Sequence, residues 1–316
     1  MEIPQLKIGD LMPRFPIIQG GMALRVSTAS LAAAVAEAGG IGVIGATGMT
    51  PEEMRMEIRE AKKLSRGIVG VNIMFAVREF AQLVKAAIDE KIDVIFTGAG
   101  FSRDIFNWGR EAGVPVVSIV SSARLAKIAE RYGAAAVVAE GNEAGGHLGT
   151  DQSLFDILPS IRSAIKIPLI AAGGLVDGGG IARTFKLGAD GVQMATRFVL
   201  SQECSVADAF KQMYLRATAD DVVVIPSPVG MPGRALKNSF VNNVLNGLVE
   251  KAKNCTACLK ACTGQYCIIN ALEKSRIGKV QEGVVFAGKN VHMIKDILPV
   301  KDIFNKLLRE IKEYRD

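Results

Sequence analysis

Short apolar runs rich in Val and Ile alternate along the chain with longer stretches whose apolar positions recur at helical spacing. The runs at 16–22, 41–46, 68–74, 94–100, 115–120, 134–141, 168–174 and 191–198 read as strands. Between them, segments such as TASLAAAVAEAGG, EEMRMEIREAKKL, SARLAKIAERYG and GGIARTFKLGAD each keep one apolar face, and several end in or near Gly, as helices often do. Eight strand–helix units predict an α/β fold, a (β/α)8 TIM barrel. Its ligand face belongs at the C-terminal ends of the strands, with a phosphate site after the seventh and eighth.

The pattern changes after residue 200. Residues 201–284 are too many for one barrel helix and include the turn-rich IPSPVGMPGRALKNSF, so they read as a smaller, mainly helical cap inserted after strand eight. The barrel then comprises 1–200 and 285–316.

Composition narrows the class. With 316 residues, 49% hydrophobic and 22% charged, the chain can bury a large core. No apolar run is long enough to span a membrane, and the first ten residues show no export signal, so a cytoplasmic protein is expected. The net charge of +6 is spread among acidic residues without a basic run, which argues against a nucleic-acid partner.

Candidate chemistry concentrates at the predicted strand ends. AEGNEAGGHLG at 139–149 sets Glu140, three more glycines after Gly141, and His147 directly after an apolar strand. His147 is one of only two histidines; its side chain titrates near neutrality, and the neighbouring glycines admit a ligand close to the backbone. Gly-rich or polar loops at 20–22, 71–74, 97–100, 171–180 and 193–198 fall on the same rim, where Gly173, Gly174 and the backbone near Thr196 can offer amides to a phosphate, with Arg197 as a charged helper. Gly40, Gly42 and Gly45 match G-x-G-x-x-G, but a helical pattern precedes them, so they read as close barrel packing rather than a dinucleotide site. His292 has no such surroundings and reads as a packing or surface residue.

Taken together, FPIIQGGM, GVNIM, TGAG, AEGNEAGGHLG, IPLIAAGGLVDGGG and GVQMATRF resemble the nitronate monooxygenase family of FMN-dependent TIM barrels, which includes the enoyl-acyl-carrier-protein reductase II enzymes. The resemblance covers most of 13–200 and resumes weakly at VVFAGKNV, 284–291. It implies that Gly21, Met22 and Asn72 contact the flavin ring, that Glu140 anchors the cofactor side, and that Gly145, Gly146, Gly173, Gly174, Gln193, Ala195 and Thr196 belong to the FMN cradle. His147 would be catalytic. The implied activity is reduction of an enoyl thioester on acyl carrier protein or coenzyme A, with NAD(P)H as co-substrate. Nitronate oxidation with oxygen is the alternative, followed by quinone reduction or a non-catalytic electron-transfer flavoprotein. The resemblance also implies a homodimer.

Four of the five cysteines, Cys255, Cys258, Cys262 and Cys267, lie within 13 residues in the order C-x2-C-x3-C-x4-C. This spacing suits a 4Fe-4S cluster, which would make a ferredoxin-like protein a natural electron donor. Zinc and free thiols remain as other readings. Cys204 stands apart and reads as a small core residue.

Overall fold

The computed structural model describes residues 2–252 and 255–314. Nine strands occupy the first two thirds of the chain: β1 (Ile17–Gln19), β2 (Ile41–Gly45), β3 (Ile68–Met74), β4 (Val94–Gly98), β5 (Val116–Val120), β6 (Ala136–Glu140), β7 (Gly146–His147), β8 (Leu169–Ala172) and β9 (Gly191–Met194). All but β7 form one closed parallel barrel, sealed where β9 returns to β1 through Ile17–Val192, Ile18–Gln193 and Gln19–Met194. Each of the eight barrel strands lies within a run read from the sequence. The last is shorter than expected: Ala195 turns into helical backbone, and Thr196–Val199 forms a short helix instead of extending β9.

Alternation along each strand divides the side chains into two layers. Ile18, Val43, Val94, Phe96, Ala136, Val138 and Ile170 pack inside the barrel with Leu6 and Ile8 from the N-terminal segment. Val71, Ile95, Val137 and Val192 face the surrounding helices. Carried to the strand ends, the same parity puts Asn72, Glu140 and Gln193 on the inner side at the mouth.

Local signals set the helices. Thr50 caps Pro51–Leu64 in a reciprocal capping box with Glu53, and Asp177 accepts from the Gly180 amide at the start of Gly178–Lys186. Gly113 and Gly133 end their helices in the left-handed conformation. The G-x-G-x-x-G segment is packing: a Cβ on Gly42 would stand 1.8 Å from the Ala32 carbonyl oxygen, and one on Gly45 would stand 2.1 Å from that of Met22.

The C-terminal helix Val300–Glu313 packs between the helices Ala29–Glu37 and Gly178–Lys186, in the place of an eighth barrel helix. Its Phe304 lies against Phe15 and Phe198, and its Glu310 carboxylate accepts from the Gly178 amide at 2.7 Å. Between barrel and terminal helix, the cap carries helices Asp208–Arg216, Ser239–Leu245 and Ile268–Arg276. It also holds an antiparallel hairpin, β10 (Val222–Ile225) and β11 (Gly233–Leu236), and β11 pairs with β7 by matching Gly233 to His147 and Arg234 to Gly146. Among the described residues, no helix is long and apolar enough to cross a membrane.

Candidate functional site

A cavity of about 530 Å³ opens at the C-terminal mouth of the barrel and is walled by strand ends, barrel loops and cap. It brings together Gly21, Met22, Asn72, Glu140, Gly145, Gly146, His147, Gln193, Ala195 and Thr196. Residues up to 175 positions apart thus meet because parallel strands all end on one face.

His147 lies in β7, outside the barrel, where pairing with the cap hairpin holds its backbone. Its Nε2 is 2.8 Å from Ser227 Oγ, and its ring meets Phe286 edge-on at 5.2 Å between centroids. Burial pulls the imidazole down to about 4, so it is neutral at physiological pH. Glu140 is affected in the opposite sense: burial pushes its carboxyl up to about 7.

Gly21 and Asn72 are in tight contact, since a Cβ on Gly21 would come within 2.4 Å of Asn72 Cβ. Gln193 is 8% exposed, and its Oε1 is buried without a hydrogen-bond partner among the described residues. An amide oxygen in that position is costly unless a ligand donor reaches it. Thr196 Oγ1 accepts from the Gly288 amide at 3.0 Å, which ties the last barrel loop to the chain returning from the cap.

Two expectations change. Gly173 and Gly174 are not among the residues that line the cavity; both have positive φ, and an added Cβ would come within 3.1 Å of the Gly141 carbonyl oxygen at Gly173 and 2.7 Å of Glu143 Cβ at Gly174. Arg197 has its guanidinium held by protein groups. It is buried, bonded to the Asp296 carboxylate and to the carbonyls of Leu200 and Asp296, and it fastens the start of the terminal segment to the barrel.

The four clustered cysteines are free; Cys255 and Cys262 are exposed and Cys258 and Cys267 half-buried. Among the described residues, no three His, Cys, Asp or Glu side chains stand together as the ligands of a metal ion, so the expected ligand set is not assembled. Burial, with Cys267 and then Cys255 nearby, raises the Cys258 thiol. Cys204 is buried in the core as expected, and its thiol contacts the Val26 carbonyl.

Several site residues were not visible in the sequence. Ser227 lies in the turn-rich segment that marked the cap, yet only the β7–β11 pairing shows that it reaches His147. Tyr266 stacks edge-on against Phe240 and donates to the Pro226 carbonyl at 3.0 Å, which supports the Ser227 turn. Tyr214 lines the cavity but donates its hydroxyl to the Phe286 carbonyl, and burial raises its pKa further. The cap wall is apolar: Val229, Met231, Leu259, Ile268, Ile269 and Leu272.

Comparison with known proteins agrees with this architecture. The nitronate monooxygenase family model matches residues 6–90 and 64–310. A (3aS,4S,5R,7aS)-5-hydroxy-7a-methyl-1-oxo-octahydro-1H-indene-4-carboxyl-CoA dehydrogenase from Rhodococcus jostii is 35% identical over 254 residues, 79% of this chain and 71% of its own length. The structure of FabK from Thermotoga maritima superimposes with a TM-score of 0.86 at 36% identity, covering 95% of this chain and 94% of that one. A nitroalkane oxidase from Streptomyces ansochromogenes gives 0.83 at 25% identity, covering 95% and 97%. With a family model matching most of its length and a relative 35% identical over 79% of the chain, the chain is an oxidoreductase of the nitronate monooxygenase family.

Proposed function

We propose that this protein is an FMN-dependent reductase of an enoyl thioester, using NAD(P)H as the source of hydride. The residues at the mouth fit the flavin. The partnerless Gln193 Oε1 is an acceptor suited to a ring N–H, and a side chain on Gly146 would project into open space at the cavity, where only Phe286 comes within 4 Å; Gly21 and Gly145 line the same cavity with their free side packed on Asn72 and on the Ala287–Gly288 backbone. Met22, Asn72, Glu140, Ala195 and Thr196 complete the set that would hold it, with Gly173 and Gly174 packed against the 141–144 loop. When bound, the flavin supplies the hydride chemistry, and the protein supplies position and control of protons.

The observation that carries the substrate class is the cap wall. Its six apolar side chains include no cation, so an acyl chain is solvated there while a small anion such as a nitronate finds no partner. His147 agrees with this reading. As a neutral imidazole it can donate a hydrogen bond to a thioester carbonyl without placing a charge in an apolar site, and Ser227 fixes the direction of its ring. The apolar cap wall lowers the local polarity around the carbonyl, which strengthens that hydrogen bond.

Anaerobic stopped-flow absorbance on flavin-loaded protein tests the proposal. Bleaching of the flavin band by NADH or NADPH, and its return on adding a short enoyl thioester, is expected. No bleaching by either nucleotide, with rapid bleaching by an alkyl nitronate, would replace this reading with nitronate oxidation.

A further inference from the structure

The imidazole of His147 meets the protein through Nε2, which is 2.8 Å from Ser227 Oγ, so Nδ1 is the ring nitrogen left for a ligand in the cavity that His147 lines. Burial keeps the ring neutral at physiological pH. A neutral imidazole has one hydrogen, carried on either nitrogen, and the partner of Nε2 therefore decides whether Nδ1 donates or accepts.

The contact continues beyond Ser227. Its hydroxyl also hydrogen-bonds the Tyr266 phenol, where it opposes the burial that pushes that phenol up to about 12. Tyr266 in turn donates to the Pro226 carbonyl at 3.0 Å. Ser227 and Tyr266 are 5% and 3% exposed, and Phe240 meets the phenol ring edge-on at 5.4 Å, so the path is shielded from bulk water. Backbone bonds hold the turn that carries Ser227: the Gly230 amide donates to the Ser227 carbonyl at 3.0 Å and the Thr263 amide to the Pro228 carbonyl at 2.9 Å.

The available hydrogens fix the direction of each bond. A carbonyl only accepts, so the hydrogen between Tyr266 and Pro226 belongs to the phenol. The phenol has no second hydrogen, and between it and Ser227 the serine donates. Ser227 is then an acceptor toward the ring, Nε2 carries the imidazole hydrogen, and Nδ1 is bare. A second arrangement is equally self-consistent: the phenol turns to donate to Ser227, Ser227 donates to Nε2, and the imidazole hydrogen sits on Nδ1. Both place three hydrogens on three neutral side chains; the hydrogen lost from Nε2 and the one gained at Nδ1 exchange with water. The second arrangement takes the donor from the Pro226 carbonyl, so it prevails when a ligand accepts from Nδ1 and offsets that loss.

We propose that Tyr266 is a positioning residue that sets the tautomer of His147 through Ser227. In the resting protein the relay keeps Nδ1 bare. A thioester carbonyl in the cavity draws the imidazole hydrogen to Nδ1 as the Tyr266 hydroxyl leaves Pro226 for Ser227; this second part rests on the enoyl-thioester reading, and the first does not. His147 thus becomes a donor when an acceptor arrives, and no charge enters the apolar site.

The test uses the flavin-loaded full chain with nitrogen-15 confined to histidine. Only two imidazoles contribute to the spectrum, and His147→Gln identifies the signals of the one in the cavity. Long-range correlation of ring nitrogens with ring protons shows which nitrogen carries the hydrogen. Nε2 is expected in the ligand-free wild type. In Tyr266→Phe, where Ser227 has lost the phenol as its acceptor, the hydrogen should move to Nδ1. Should that variant fail to fold, incorporation of 3-fluorotyrosine makes the phenol a weaker acceptor and should raise the Nδ1–H share. Butyryl-coenzyme A, a saturated thioester, should bring the wild type to the Nδ1–H form. A ligand-free wild type protonated on Nδ1, or a tautomer unchanged by the loss or fluorination of the phenol, would overturn the proposal. Butyryl-coenzyme A that leaves the hydrogen on Nε2, in protein that turns over an enoyl thioester, would overturn the coupling to substrate. Absence of that turnover in the wild type would instead remove the substrate reading, and the ligand-free comparison would still decide the relay.

Discussion

His147 Nε2 lies 2.8 Å from Ser227 Oγ, a hydrogen bond between a barrel loop and a cap turn 80 positions later in the chain. The two residues meet because β7 and β11 pair, and that pairing makes the cap part of the site rather than a cover laid over it. Ser227 is 5% exposed, so the bond is shielded from competing water.

Ser227 acts through His147 as a positioning residue. Ser227→Ala removes one buried hydrogen bond worth about 1 kcal/mol, so kcat/KM for the enoyl thioester should fall roughly fivefold. Ser227→Thr should recover most of the loss, and the pH profile of the alanine variant should shift as the imidazole loses its partner. Steady-state kinetics across pH measures both, and an alanine variant matching the wild type throughout would remove Ser227 from the site.

Replacing His147 by Ala should slow reoxidation of the flavin by the enoyl thioester roughly 100-fold or more, the scale of a lost proton-handling group. Reduction by NAD(P)H should change far less, because the residues assigned to the flavin remain. Stopped-flow traces of the two half-reactions separate these effects. Equal slowing of both would mean that His147 serves cofactor binding instead.

Glu140 makes stability depend on pH. Burial raises its carboxyl from 4.5 to about 7, so the folded chain keeps a proton that the unfolded chain has already lost. The stability due to the protonated form is complete below about pH 4.5 and is lost as pH rises to about 7. Glu140→Gln cannot ionise, so the melting temperature of the flavin-free variant should gain on the wild type between pH 5 and pH 8. A difference independent of pH would show that the carboxyl is not held in its neutral form.

Arg197 bears on stability and not on phosphate binding. Arg197→Ala strands the Leu200 and Asp296 carbonyls and takes one partner from the Asp296 carboxylate, which Lys306 still contacts at 2.8 Å. A loss of roughly 2–3 kcal/mol in chemical denaturation is expected, in line with charged hydrogen bonds. The folded fraction should retain flavin with wild-type affinity by fluorescence titration; a selective loss of flavin affinity would return Arg197 to the phosphate.

The amino-acid sequence by itself determined the barrel. Eight apolar runs separated by amphipathic helices have few ways to bury both faces of every strand, and the strand ends that carry Asn72, Glu140 and Gln193 were read onto one rim; that these side chains face inward follows from the two packing layers. The glycines of the G-x-G-x-x-G segment were likewise legible as packing, because a helical pattern precedes them. Tertiary structure alone decided which partners these residues meet. Arg197 follows β9 as a phosphate ligand would, but its side chain turns to Asp296, 99 positions away. Gly173 and Gly174 have the backbone freedom expected of a cradle, yet they pack against the 141–144 loop and are not among the residues that line the cavity. Ser227 looked like one turn residue among several until two short strands paired. Periodicity records which face of an element is buried, a local property repeated along the chain; the choice of a single hydrogen-bond partner depends on where distant segments come to rest, and no local pattern encodes that.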